Sequence, residues 1–182
     1  EGGMLVTNNR KLYAKFKIIH DQGRVVKEKK MFFPHYTGLK YKISNIQAAL
    51  GCAQLKRLNH IVNKKRQIFN WYSKVLKKNT EITLNAQKKY TYNSYWKTTI
   101  VFDQKLKINK EKLINFLKKY NIDSRPFFYP LSSLPMYKKD INNKIAYKLS
   151  QNSINLPSFY ELSEKQVKYI CNIINKYINN LK

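Results

Sequence analysis

SNIQAALGCAQLKRLNHIVNKKRQIFNWYSKVL, residues 44–76, is the stretch on which the reading of this chain turns. Ser44 followed three residues on by Gln47 makes a capping box, in which the hydroxyl accepts a helical amide and the Gln side chain accepts the cap's own amide. From there Ile46, Leu50 and Ala53, then Leu58, Ile61, Val62, Ile68, Phe69, Tyr72 and Leu76, keep roughly helical spacing, which predicts one long helix over 44–76. Ala48, Ala49, Gly51, Cys52 and Ala53 leave its first turns slender enough for another backbone to approach closely. A helix of this kind joins a small C-terminal domain to something N-terminal.

Upstream, EGGMLVTNNR (1–10) sets a Gly-Gly pair before Met4, Leu5 and Val6, an apolar run that reads as a strand and leads into a turn. RKLYAKFKIIHDQG (10–23) reads as an amphipathic helix with Leu12, Phe16 and Ile19 on one face and Gly23 as the stop just past its end. MFFPHYTGLKY (31–41) is an irregular aromatic loop. Downstream the texture changes at about residue 80. ITLNAQ (82–87) and YWKTTIVF (95–102) read as strands, with Tyr95 and Trp96 as packing aromatics. NKEKLINFLKKY (109–120) is a helix capped by Asn109, with Leu113, Phe116 and Leu117 on its inner face. SRPFFYP (124–130) is extended, because each proline biases the residue before it away from helix. A short helix, KIAYKLSQ (144–151), precedes a second extended piece, SINLP (153–157). The last helix opens on the capping box of Ser163 and Gln166 and carries the stripe Val167, Ile170, Cys171, Ile174, Ile178 and Leu181. The class is therefore mixed α/β.

The charge of +26 attracts polyanions in general, but its make-up argues against a nucleic-acid interface. Only five of the 36 basic residues are Arg, and the rest are Lys spread along the whole chain among many Asn, Ile and Tyr, the signature of A/T-rich codons. No RNP-type aromatic run and no Cys/His finger occurs. A non-catalytic basic module remains the rival reading; it requires the lysines to gather on one face. No apolar run approaches the ~20 residues of a membrane span, so no membrane partner is expected. Cys52 and Cys171 read as reduced, packed thiols of a cytoplasmic protein.

No Walker A, GxGxxG, GxSxG or HExxH motif is present, and no metal-ligand spacing links His20, His35 and His60. His20 and His60 read as helix-surface residues, and the ten acidic residues form no glycosidase-like pair. What remains is a scaffold with two functional-looking loops, 31–42 and 123–137, and no self-sufficient active site.

EGGMLVTN, YKISNIQAALGCAQLKRL, SRPFFYPLSSLPMY and INLPSFYELSEKQVKYI, in this order and spacing, resemble the DegT/DnrJ/EryC1/StrS family of PLP-dependent sugar aminotransferases. Within it, Tyr95-Trp96, Arg125-Pro126, Pro135-Met136-Tyr137 and Ile154-Asn155-Leu156-Pro157 are most similar to the GDP-perosamine synthase-like 4-aminotransferases. The resemblance implies the C-terminal part of a fold-type-I aminotransferase. Residues 1–76 would be the end of the large PLP domain with the interdomain helix, and residues 77–182 the small α/β domain. The family's GEGG motif, matched by Glu1-Gly2-Gly3, follows closely behind the lysine that forms the Schiff base, so that lysine lies upstream of Glu1. No residue of this chain is then catalytic, and the chain alone is expected to be inactive.

The family's Gly-x-Asn-Tyr-Arg loop reaches the PLP phosphate of the neighbouring subunit through its Asn. Here the run is Gly38-Leu39-Lys40-Tyr41-Lys42, so the resemblance gives Lys40 that role, as an ammonium in place of an amide. His35 lies one residue short of a histidine the family often carries. Arg125, Phe127, Phe128 and Tyr129 would face the substrate cleft, and Ser132 stands where relatives frequently have His. The implied reaction moves an amino group from glutamate to a nucleotide-linked 4-keto-6-deoxy sugar, in a cytoplasmic homodimer serving surface polysaccharide or O-antigen biosynthesis. The cofactor is pyridoxal 5'-phosphate and no metal is implied. A degenerate, non-catalytic relative is the remaining alternative.

Overall fold

The computed structural model describes residues 2–25, 27–138, 140 and 142–181, so Glu1 of the Glu-Gly-Gly match lies outside the described residues. The chain divides into two compact units, Glu1–Leu58 and Asn59–Lys182. The expected domains 1–76 and 77–182 refer to a larger protein and remain a proposal.

In the first unit, α1 spans Arg10–Ile19 and α2 spans Asn45–Lys56. The Asn9 side chain caps α1 by accepting the Lys11 and Leu12 amides. The expected helix over 10–23 ends early, because Asp21 leaves the helix to bridge Lys40. The expected strand at Met4–Val6 does not form. Residues 2–8 are irregular and these three side chains are 82%, 72% and 85% exposed. A strand needs a neighbour for its amides, and no strand lies among the described residues of this unit. Both helices bury no residue.

The single helix predicted over 44–76 is two helices. Ser44 and Gln47 do form the capping box of α2, but the ladder breaks at Arg57, whose amide turns back to Gln54 and Leu55. Helix α3 then runs Leu58–Leu76. The apolar stripe explains the break: 46, 50 and 53 call for 57 next, where Arg stands, and the stripe resumes one residue late at Leu58.

The second unit is built on a sheet of four antiparallel strands in the order β1 (Ile82–Leu84), β2 (Thr98–Phe102), β4 (Ser153–Leu156), β3 (Arg125–Pro126). SINLP thus supplies a central strand, with Ile100 opposite Ile154 on one side and Pro126 opposite it on the other. Ile82, Leu84, Ile100, Phe102, Ile154 and Leu156 join one hydrophobic cluster. It also contains Ile68, Phe69, Tyr72 and Leu76 of α3 and Leu113 and Leu117 of α4 (Lys110–Lys119). Val167, Ile170, Cys171, Ile174 and Ile178 of α6 (Glu164–Asn179) also belong to it, and Tyr95, Ile122 and Leu162 complete it. Leu181, expected to continue that stripe, is exposed beyond the helix end. Helix α5 (Lys144–Gln151) carries the chain into β4.

Alternation gives the other sheet face Thr99, Asn155 and Arg125. Buried Asn155 accepts from the Thr99 hydroxyl at 2.8 Å and donates to the Pro126 carbonyl at 3.3 Å, tying β2 and β3 through β4. Burial pushes the Cys171 thiol up to about 12 and the Tyr72 phenol well above its ordinary range. Cys171 is thus a packed thiol as expected. Cys52 is not: it is exposed.

Candidate functional site

The loop bearing Lys40 is set by two glycines that let backbone cross backbone. A Cβ on Gly23, whose φ is +73°, would lie 1.7 Å from the Tyr36 carbonyl oxygen, and one on Gly38 2.0 Å from the Gly23 nitrogen. No side chain fits at either position. Around this crossing, Leu39 donates to Ile19 at 2.7 Å, Gln22 to Leu39 at 3.1 Å, and Tyr41 and Lys42 both donate to the His20 carbonyl at 2.9 and 3.0 Å.

Side chains complete the anchor. Asp21 accepts from Lys42 Nζ at 2.9 Å and from Arg24 Nη2 at 2.7 Å. The Lys42 bond, followed by Arg24, holds the Asp21 carboxyl below the ordinary carboxylate range. The same groups line a cleft of about 600 Å³ with Tyr13, Lys17 and His20. On the other arm His35 pairs with Glu28, and its amide donates to the Gly23 carbonyl at 3.2 Å. Glu28 is held low first by the Lys30 amide and then by His35. Lys40 is exposed, and among the described residues its ammonium meets no acceptor. The structure therefore brings Lys40 and His35 onto one anchored loop, with Lys40 open and His35 engaged.

Arg125, Phe127 and Tyr129 share the second unit. Arg125 stands on β3 opposite Asn155, exposed, and donates to Asp123 at 2.9 Å. Phe127 is half-buried, its amide held by the Ser153 carbonyl at 3.3 Å. Tyr129 is exposed, with the Lys110 ammonium 5.0 Å from its ring centre. Ser132 donates to the Asp140 carbonyl at 3.2 Å and lies 3.3 Å from the Tyr147 hydroxyl. Sequence reasoning treated Tyr95 and Trp96 alike, and the structure separates them. Tyr95 is buried and stacks on Phe69 at 3.6 Å, whereas Trp96 is 59% exposed.

The other histidines are structural. His20 Nδ1 bonds the Phe16 and Lys17 carbonyls, and His60 pairs with Tyr160. Among the described residues no cluster of His, Cys, Asp and Glu could hold a metal ion, and no helix is long and apolar enough to cross a membrane. Lysines fall on each of the six helices rather than on one.

Residues 1–175 match the model of the DegT/DnrJ/EryC1/StrS aminotransferase family. A GDP-perosamine synthase of Vibrio cholerae is 37% identical over 183 residues, which cover 98% of this chain and 49% of the relative. The chain thus spans about half the length of the curated relatives it matches. An aminotransferase of Helicobacter pylori involved in pseudoaminic acid biosynthesis superposes with a TM-score of 0.84 at 23% identity, over 96% of this chain and 48% of its own. A Streptococcus pneumoniae protein solved in its PMP form superposes with a TM-score of 0.82 at 22% identity, over 99% of this chain and 48% of its own.

Proposed function

The chain belongs to the DegT/DnrJ/EryC1/StrS aminotransferase family, and from that premise we propose that it is the C-terminal portion of a PLP-dependent sugar aminotransferase. The substrate is a nucleotide-linked 4-keto-6-deoxy sugar and the amino donor is glutamate. The observation that carries this is the 37% identity to a GDP-perosamine synthase along 98% of the chain. The whole enzyme would be a cytoplasmic homodimer serving surface polysaccharide biosynthesis.

Pyridoxal phosphate, when bound, supplies the electron sink for amino-group transfer. The residues present fit one part of it. Lys40 offers an unengaged ammonium on a loop whose backbone is fixed by the glycine crossing and by Asp21, as a phosphate contact requires. In this reading Lys40 binds the phosphate held by a neighbouring subunit. Lys42, which stands at the family's Arg position, does not touch the phosphate but holds Asp21, whose backbone bridges Lys40, and so anchors the segment that bears Lys40. Arg125, Phe127 and Tyr129 form the sugar-nucleotide wall contributed by the second unit. His35 reaches substrate only with the nitrogen that Glu28 leaves open. The alternative of a basic module is disfavoured by the spread of lysines over all six helices.

The test is K40Q in the whole protein, read by absorbance titration with PLP and by turnover with glutamate. K40Q should bind PLP several-fold more weakly while folding normally. A K40Q protein that titrates like the parent removes Lys40 from the site; a parent protein with no PLP binding and no turnover overturns the aminotransferase reading itself.

A further inference from the structure

Several cation–aromatic groups of the second unit are committed to the fold. Arg66 lies 4.2 Å from the Tyr92 ring centre, and its guanidinium donates to Gln87 Oε1 at 3.1 Å and to the Asn93 carbonyl. Lys110, over Tyr129, donates to the Ser150 carbonyl at 3.0 Å. Among the described residues one group sets a cation without such a bond against two exposed rings at once. Trp96 and Phe128 lie with ring centres 6.3 Å apart and planes within 19°, yet the two residues are 59% and 56% exposed. The Lys97 ammonium sits 4.6 Å from one ring centre and 5.1 Å from the other. Lys97 is half-buried, and among the described residues its ammonium meets no carboxylate, carbonyl or hydroxyl.

The rings are held from behind. Tyr95 is locked in the core at φ 49°, its amide bonded to Asn93 Oδ1 at 2.8 Å, and this turn throws Trp96 outward. Phe128 follows Phe127, which is fixed to β4, and packs edge-on to it at 5.8 Å. Two open, near-parallel π faces on rigid bases suit a flat heteroaromatic ring, because little motion is lost on stacking. A half-buried ammonium without an anion suits a phosphate, which would replace its contact with the rings by a charge-assisted bond. Together these are the two recognition elements of a nucleoside diphosphate.

We propose that Trp96, Phe128 and Lys97 form a nucleotide subsite, in which the two rings stack the base and Lys97 takes the diphosphate. The choice of ligand rests on the proposed nucleotide-sugar chemistry; the platform itself rests on geometry.

The probe is GDP, with guanosine and inorganic pyrophosphate as partial ligands, titrated into the 182-residue chain carrying W71F so that Trp96 is the sole indole. GDP should quench Trp96 emission. By equilibrium dialysis, W96L and F128L should weaken GDP binding roughly ten- to hundredfold, the range that loss of base stacking produces. K97Q should weaken GDP toward guanosine while leaving guanosine unchanged. Thermal melts of W96L and F128L should match the parent, since both rings are largely solvent-facing, and K97Q, which keeps a polar side chain at a half-buried position, should stay close to it. Three results overturn the subsite: no GDP binding by the folded chain, GDP binding unchanged in W96L and F128L, or pyrophosphate binding as tightly as GDP. None of these touches the aminotransferase reading, which stands or falls on turnover by the whole protein.

Discussion

The two units are made of similar residues and both have well-capped helices, yet only one has a core. In Asn59–Lys182, three helices and three of the four strands bury a continuous apolar cluster. In Glu1–Leu58 none of the described apolar side chains is buried: Phe16, Ile18, Ile19 and Val25 are half-buried, and Leu50 and Ile46 on α2 are exposed, as are Met4 and Phe32 in the irregular segments. Its order comes from backbone bonds around the Gly23–Gly38 crossing and from the ions gathered on Asp21. Local signals are enough to shape a helix or a loop. Burial needs a second surface, and helices of 10 and 12 residues are marginal in water without one. An exposed apolar face this extensive marks an interaction surface, which agrees with the proposal that this chain is one part of a longer enzyme.

The comparison breaks most readily at the two cysteines, because each unit carries one. At pH 8 Cys52 should react with a thiol reagent within minutes. Cys171, buried and raised to about 12, should react orders of magnitude more slowly and only as the second unit opens. Equal rates, followed by mass spectrometry of the two peptides, would remove the distinction between the units. Next in size are core truncations. Ile154→Ala or Ile174→Ala should destabilise the chain by about 2–5 kcal/mol in urea, whereas Ile46→Ala or Leu50→Ala should stay within about 0.5 kcal/mol of the parent.

The smallest expected effect is on acidity. Asp21 is depressed in the folded loop by Lys42 and then Arg24. Its contribution is present above the ordinary carboxylate pKa and is lost as pH falls through the depressed value. Acidification below about pH 4 should therefore loosen residues 20–42, seen as faster amide exchange at Tyr41 and Lys42 relative to core amides. D21N should show that looseness already at pH 7 and lose the pH dependence.

How far the sequence reached depended on what each feature needed. Capping boxes at Ser44 and Ser163, the Asn109 cap and the stripe of α6 are local, and all were legible. The missing strand at Met4–Val6 was not, since alternation alone cannot supply a neighbouring strand. The break at Arg57 was written in the one-residue slip of the stripe, a signal that counting apolar residues over thirty positions averages away. Of the site, the loops 31–42 and 123–137 stood out by their prolines, glycines and aromatics. Asp21 and Glu28 did not, because Lys42 and His35, which they bind, lie 21 and 7 residues away and meet them only through the loop's folding. Which of Tyr95 and Trp96 turns inward is decided by the left-handed backbone at Tyr95, not by residue type.

The central claim is that this chain is one part of a sugar aminotransferase. Its most direct test is amino transfer from glutamate to a GDP-linked 4-keto-6-deoxy sugar, measured for the 182-residue chain alone and again with the polypeptide that supplies the rest of the family's length. The account predicts no turnover by the chain alone and PLP-dependent turnover once the two are joined, with Cys52 losing its reactivity as the first unit is covered. Turnover by the chain alone, or a joined protein that folds and binds PLP yet never transfers the amino group, would contradict it.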